Sequence, residues 1–238
     1  MRAIILAAGR GSRMGSMTYN KPKCLVEIQG KPLLEWQLDA LRKSGINDIA
    51  IVTGYKREAL LSYKLKEFYN ANWSTTQMVS SLECANEWLK KYQCIVSYSD
   101  IFYTSDTVSR LSESDCDLAI TYDPNWLDLW SNRFKDPLSD AETFLINRSG
   151  YIEEIGNKPK SIQDIQGQYM GLLKFNPEGW NDFSRFFNNL SNNEKANIHM
   201  TKVLNKLILK EDYKIFGVES IGKWGEIDSK HDVEVYNK

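Results

Sequence analysis

Histidine and cysteine are scarce, at 2 and 4 residues of 238. The four cysteines, Cys24, Cys84, Cys94 and Cys116, stand far apart in no metal-ligand spacing. With so little imidazole this argues against a zinc site, and reduced, mostly buried thiols are expected. An excess of one charge is also lacking: 30 basic side chains face 31 acidic ones, for a net charge of −1. That excludes the global positive field of a nucleic-acid binder and confines any polyanion binding to a local patch. No apolar run approaches the ~20 residues that cross a bilayer. The apolar opening Ala3–Ala8 is too short, and too weakly preceded by charge, for a signal peptide. A soluble, cytoplasmic protein is the expectation. No internal repeat and no linker of biased composition interrupt the chain, whose length suits one sizeable core and would crowd two.

The patterning that is present predicts an α/β fold. Ala3–Leu6 reads as a short buried strand, and Ala7–Met14 after it is made turn-like by small residues and glycine. From Leu33 to Leu41 apolar residues recur three and four apart, between Pro32 and a basic last turn at Arg42 and Lys43 with Gly45 beyond, which predicts a helix. Ile46–Thr53 reads as the next strand, so the order is that of a wound, mostly parallel sheet. A helix over Arg57–Tyr69, a polar segment Asn70–Gln77, a helix over Met78–Lys91 and a strand Cys94–Tyr98 running to Asp100 follow. Past Asp106 the texture is more antiparallel, with strands at Asp117–Tyr122, Thr143–Asn147, Tyr151–Gly156, Gln168–Phe175 and Lys214–Val218. Helices are expected at Pro177–Asn189 and Met200–Glu211, and Asp123–Asp140 reads as irregular. The expected whole is a single-domain three-layer sandwich with a mixed, mostly parallel sheet.

Gly9 and Gly11 allow close backbone approach and leave amide donors free for an anion, while Arg10 and Arg13 add charge that pairs with phosphate oxygens. The loop lacks the Gly-Lys-Ser/Thr ending of a P-loop. It also lacks the third glycine of a dinucleotide fingerprint, and Lys21-Pro22-Lys23 interrupts the helix that should follow. The run Ile4-Ile5-Leu6-Ala7-Ala8-Gly9-Arg10-Gly11-Ser12-Arg13-Met14, then Lys21-Pro22-Lys23, then Gly30-Lys31-Pro32-Leu33-Leu34, closely resembles the nucleotidyltransferases that make sugar nucleotides and related CDP or UDP compounds. Downstream, Ser99-Asp100 and Gly225-Glu226-Ile227-Asp228-Ser229 resemble the phosphocholine cytidylyltransferases of that family.

The resemblance implies a nucleotide-diphospho-sugar transferase-like fold in which residues 1–105 bind the nucleotide and 106–238 the acceptor. It implies CTP held by Ala8, Gly9, Gly11, Ser12 and Arg13, with Arg13 and Lys23 as the catalytic cations and Asp100 and Asp228 as ligands of Mg²⁺. The reaction implied is attack by an acceptor phosphate on the α-phosphorus, with pyrophosphate leaving and no general base needed. Gln77 and Ser80 fall where the family contacts the base. Lys158, in Gly156-Asn157-Lys158-Pro159, matches the acceptor-phosphate lysine of hexose-1-phosphate enzymes, although Asn157 replaces their glutamate. Trp73, Tyr122, Trp126, Trp130 and Tyr169, with Asp123, Asp128 and Asp140, would suit a cationic head such as phosphocholine. Arg133 could pair with an acceptor carboxylate, which keeps a phosphorylated amino acid such as phosphoglutamine as the rival. His199 and His231 are expected at the surface or in packing. A regulatory relative without turnover and a glycosyltransferase remain as other classes, the latter weakened by the missing Asp-x-Asp at Asp100.

Overall fold

The computed structural model describes residues 1–210 and 213–237. Seven strands form the central sheet: β1 (Arg2–Ala7), β2 (Ile49–Thr53), β3 (Lys66–Tyr69), β4 (Cys94–Tyr98), β5 (Leu118–Asp123), β6 (Gln168–Phe175) and β7 (Phe216–Glu219), in spatial order β7-β5-β6-β4-β1-β2-β3. Every pairing is parallel except those of β6, which runs antiparallel to both β4 and β5. β1 and β2 read as unbroken apolar runs because both of their faces are covered. Ile4, Leu6, Ala50 and Val52 point into one core with Trp180, Phe183 and Val203. Ala3, Ile5, Ile49 and Ile51 point into the other, with Leu34, Leu38 and Leu41 of helix α1 (Leu33–Lys43). Two cores on opposite faces make the three layers.

Helices Ser105–Ser112, Asn192–Asn197 and Lys230–Tyr236 add to the elements expected from sequence, and three expected segments differ. The expected helix Arg57–Tyr69 is a 3₁₀ turn over Arg57–Tyr63, ended by Lys64 at φ 53°, after which the chain extends into β3 at the sheet edge. Four residues with one buried side chain carry too little pattern to betray an edge strand. Met78–Lys91 is broken into helices Met78–Glu83 and Asn86–Leu89. The segment Asp123–Asp140 contains a helix, Trp126–Arg133, whose Trp126, Trp130 and Arg133 are buried on one face. The expected hairpin is present as Phe144–Ile146 against Ile152–Ile155. Helix Met200–Ile208 matches its forecast start, while the forecast end at Glu211 lies outside the described residues.

Strand order reverses beside β1, so the loops after β1 and β4 open a crevice at the carboxyl edge of the sheet, the usual ligand position in wound α/β folds. A small ladder, Ile101–Phe102 against Gly225–Glu226, reaches across that edge, and the amide of Ile227 donates to the carbonyl of Asp100 at 2.8 Å. The C-terminal stretch is thereby tied to the end of β4.

Helix Pro177–Asn188 packs Trp180 and Phe183 into the first core: Asn176 caps it by accepting from the Gly179 amide at 2.8 Å, with proline in its first turn. A Cβ on Gly179 would lie 2.2 Å from the carbonyl oxygen of Asp117. Gly179→Ala is therefore expected to destabilise the fold by about 1–3 kcal/mol. The check is the midpoint of urea unfolding; an unchanged midpoint contradicts this account of the helix docking.

Candidate active site

Gly11 adopts φ 68°, and a Cβ there would sit 2.8 Å from the Lys23 side chain. The glycine thus serves two needs, a left-handed turn and room for the lysine that passes beneath it. Lys23 is buried in a 3₁₀ turn after Pro22. Its ammonium lies 2.8 Å from Asp100 Oδ2 and 2.5 Å from Asp228 Oδ1, and Arg13 Nη2 reaches Asp228 Oδ1 at 2.9 Å. Glu226 completes the group: one oxygen each from Asp100, Glu226 and Asp228 lie within 4.8 Å of one another. Arg133, its side chain fully buried, donates from Nε to Asp232 Oδ1 and from Nη1 to Glu226 Oε2, both at 2.9 Å. Asp232 also accepts from the amides of Asp228 and Ser229.

Charge follows from this packing. Burial works against the Lys23 ammonium, but Asp100 and Asp228 outweigh it and raise its pKa. Burial likewise opposes the Asp228 carboxylate, and Lys23 and Arg13 overcome that and hold its pKa low. Burial, then Asp228, push Glu226 up to about 7 despite Arg133. Asp100 Oδ1 is buried with no hydrogen-bond partner among the described residues. Three clustered carboxylates, one with an unpaired oxygen, form a donor set suited to a hard divalent cation.

Two cavities meet at this cluster. One, about 200 Å³, is bordered by Ala8, Gly9, Gly11, Arg13 and Lys23 and by Trp73, Thr76, Gln77 and Ser81. The second, about 290 Å³, is bordered by Trp130, Asp140, Glu142, Tyr169, His199, Glu226 and Asp228. Arg13, Gln77 and Met78 border both.

The structure thus gathers Ala8, Gly9, Gly11, Arg13, Lys23, Gln77, Asp100 and Asp228 at the junction, and puts Tyr169 and Trp130 on the second cavity. Four expected site residues are not among those the structure gathers there. Ser12 is exposed at the start of the turn and borders neither cavity. The Ser80 hydroxyl donates to the Lys195 carbonyl, and it is Ser81, next along the helix, that faces the cavity. Lys158 is exposed, donates to the carbonyls of Leu138 and Ser139, and borders neither cavity. Arg133 is occupied by Glu226 and Asp232.

The aromatics also divide. Trp73 borders the first cavity, Trp126 and Tyr122 belong to the core, and Trp130 packs edge-on to Trp126 at a centroid distance of 6.2 Å. Asp123 accepts from Trp224 Nε1 and, with Asp128, lies on a different cavity, while Asp140 borders the second. His199 is exposed, as expected, and borders that cavity as well. All four cysteines are free, Cys24 and Cys94 being buried. Glu226, Glu142 and Ser81 carried no assignment in the sequence reading. For Glu226 a signal existed: two residues apart in an extended segment, Glu226 and Asp228 share one face.

Removing Arg133 strands Glu226 and Asp232. Arg133→Ala is expected to cost about 3–5 kcal/mol, read by chemical denaturation; a loss below about 1 kcal/mol contradicts the buried pairing. Glu226 gives a pH signature. Its folded value of about 7 lies above the ordinary 4.5, so the folded chain retains a proton that the unfolded chain has released between those values. Stability therefore falls as pH rises through that window. In chelator-treated protein, Tm should decline by a few degrees from about pH 5 to about pH 7.5, and Glu226→Gln should flatten the decline; an identical slope in the variant refutes it.

Comparison with known proteins agrees with this geometry. Residues 3–144 match the family described as MobA-like NTP transferase domain. The CTP:phosphoglutamine cytidylyltransferase of Campylobacter jejuni subsp. jejuni serotype O:2 is 39% identical over 251 residues, covering 99% of this chain and 98% of that protein. The choline-phosphate cytidylyltransferase of Streptococcus pneumoniae is 55% identical over 58 residues, 24% of this chain and 25% of that one. The solved structure of the CTP:phosphocholine cytidylyltransferase of Streptococcus pneumoniae superposes with a TM-score of 0.75 at 21% identity, covering 99% of this chain and 97% of that one. The glycine turn, the buried lysine and the carboxylates at the crevice are thus features of a chain that belongs to the MobA-like NTP transferases, a family of nucleotidyltransferases.

Proposed function

We propose that the protein transfers CMP from CTP to the phosphate of a phosphorylated amino acid of the phosphoglutamine type, with Mg²⁺, yielding a CDP-linked product and pyrophosphate. The observation that carries this reading is the Lys23–Asp100–Glu226–Asp228 cluster at the meeting of two cavities, one with a phosphate-type glycine loop and the other acidic. Residues 1–105 would serve as the nucleotide half and 106–238 as the acceptor half of one domain. In support, the first cavity is bordered only by residues between 6 and 100.

The acceptor's phosphate oxygen attacks the α-phosphorus of CTP; that oxygen–phosphorus bond forms as the bond to the β-phosphate oxygen breaks. Backbone amides around Gly9 and Gly11 would hold the triphosphate, and the Arg13 and Lys23 cations would offset charge that gathers on it as the bond breaks. Asp100, Asp228 and Glu226 are the residues that would hold Mg²⁺, whose contribution when bound is to offset phosphoryl charge and orient the reacting groups. The acceptor phosphate is already an anion, so no general base is required, in keeping with two histidines in the chain.

Asp140 and Glu142 favour a primary ammonium, which donates hydrogen bonds to carboxylates, over a quaternary one, which has none to give. Burial raises the pKa of Glu142, a cost that an arriving ammonium would relieve. The full-length relative that acts on phosphoglutamine supports the same class. Phosphocholine is the second reading, favoured by Trp130 and Tyr169 beside the cavity. Against it, Trp130 is packed by Trp126 and Trp224, and Tyr169 stands edge-on to Tyr98, so neither ring belongs to an open cage. A sugar 1-phosphate lacks its anchors, since Asn157 bonds Glu154 and Lys158 bonds the Leu138 carbonyl.

The test is pyrophosphate release from each of the four NTPs with phosphoglutamine, phosphocholine, phosphoethanolamine and hexose 1-phosphates. CTP with phosphoglutamine should turn over fastest and chelation should abolish the reaction. Lys23→Ala and Asp100→Ala should each lower kcat by about 10²-fold or more while retaining the folded spectrum. Full activity in either variant, or a faster reaction with phosphocholine, rejects the proposal as stated.

A further inference from the structure

Among the buried side chains of α1, Gln37 is the only polar one, 0% exposed on the face that carries Leu34, Leu38 and Leu41 into the second core. Its Nε2 donates to the carbonyl of Tyr98 at 2.7 Å and to that of Ile101 at 2.5 Å. These two carbonyls stand on either side of the Ser99-Asp100 turn that follows β4. The opposite amide orientation is excluded, because it would set the Gln37 oxygen against two carbonyl oxygens. Oε1 is buried with no partner among the described residues, so both N–H groups are committed while the oxygen goes uncompensated. A leucine here would avoid that cost and fit the apolar face of the helix. The carbonyl of Asp100, in the same stretch, accepts from the Ile227 amide at 2.8 Å. The turn is thus gripped from outside at Tyr98, Asp100 and Ile101. From it the Asp100 side chain reaches Lys23 with Oδ2, leaving Oδ1 buried and unpaired.

We infer that Gln37 is a positioning residue for Asp100: its amide clamps the carbonyls on both sides of the Ser99-Asp100 turn and so aims the carboxylate at the place where Asp100, Glu226 and Asp228 would share a divalent cation. The inference rests on reading those carboxylates as the Mg²⁺ site. Lys23 cannot supply this hold by itself, since an arriving dication competes with the ammonium for the carboxylates and repels it. The clamp is uncharged and keeps Asp100 aimed whether or not metal is bound. Gln37 borders neither cavity, so its effect on a metal must pass through the turn.

The experiment is a titration with Mn²⁺, a paramagnetic stand-in for Mg²⁺, followed by electron paramagnetic resonance without nucleotide. It compares the native protein with Gln37→Met, Asp100→Asn and the double variant. Methionine matches glutamine in length and gives up both N–H groups. Gln37→Met should weaken Mn²⁺ binding about 10-fold or more, and should add nothing once Asp100→Asn is present, because both changes act on one ligand. In turnover, the Mg²⁺ concentration for half-maximal rate should rise by a similar factor, while saturating Mg²⁺ recovers most of kcat. Leu38→Ala, a core change on the same helix, should lower Tm without moving Mn²⁺ affinity. Gln37→Glu, which cannot donate to both carbonyls in either protonation state, should reproduce the loss and stands in should the methionine variant not fold. If the native protein takes up no Mn²⁺, or Asp100→Asn binds it as tightly as the native protein, the reading of the carboxylates fails and this inference with it. If Asp100→Asn weakens binding and the Gln37 variants do not, or if they weaken it equally in the Asp100→Asn background, the inference alone is overturned.

Discussion

A buried ammonium must find anions or give up its charge, and Lys23 is where this chain meets that constraint. Its partners, Asp100 and Asp228, come from positions 77 and 205 residues away. Each is held in turn: Asp100 follows β4, and Asp228 is fixed through its amide to Asp232, which Arg133 neutralises. The result is a compact arrangement of alternating charge in which Lys23 and Asp228 each favour the other's charged form. Such an arrangement is costly in water-poor surroundings unless complete. It explains why the C-terminal segment is stitched across the crevice.

That stitching also sets where a ligand can go. The glycine turn after β1 and the carboxylates after β4 flank the point where strand order reverses, leaving space on both sides of the cluster. One side is bordered by the glycine turn, Lys23, Trp73 and the hydroxyl residues Thr76 and Ser81; the other by Asp140, Glu142, Trp130 and Tyr169. Lys23 sits between them, with its stem under Gly11 and its charge at the boundary. A substitution at Gly11 would therefore disturb the turn and the lysine together, since both use the volume that a side chain would fill.

Much of this was legible in the residues. The apolar runs of β1, β2 and β4, the periodic face of α1 and the whole of β6 stand out because each buries a full face. The glycine turn, Lys23, Asp100 and Asp228 stand out because they sit in recognisable strings. What escaped shares a physical trait. β3 is an edge strand with one buried side chain, and Trp126–Arg133 is a helix hidden in a segment whose polar composition resembles a loop. Lys158 and Ser80 stand at matching positions in a string, yet the ammonium bonds the Leu138 carbonyl and the hydroxyl the Lys195 carbonyl, pairings that only tertiary packing brings about.

The sequence by itself determined the wound α/β class, the location of the phosphate-type turn and the residue types able to hold a dication, because period, glycine placement and side-chain chemistry are local properties. Tertiary structure alone decided that Glu226 joins Asp100 and Asp228, that Arg133 pairs with Glu226 and Asp232 behind this group, and that Ser81, not Ser80, borders the cavity. Those outcomes depend on distances between segments far apart in the chain and on which polar groups lose access to water, and neither quantity exists until the two cores have packed.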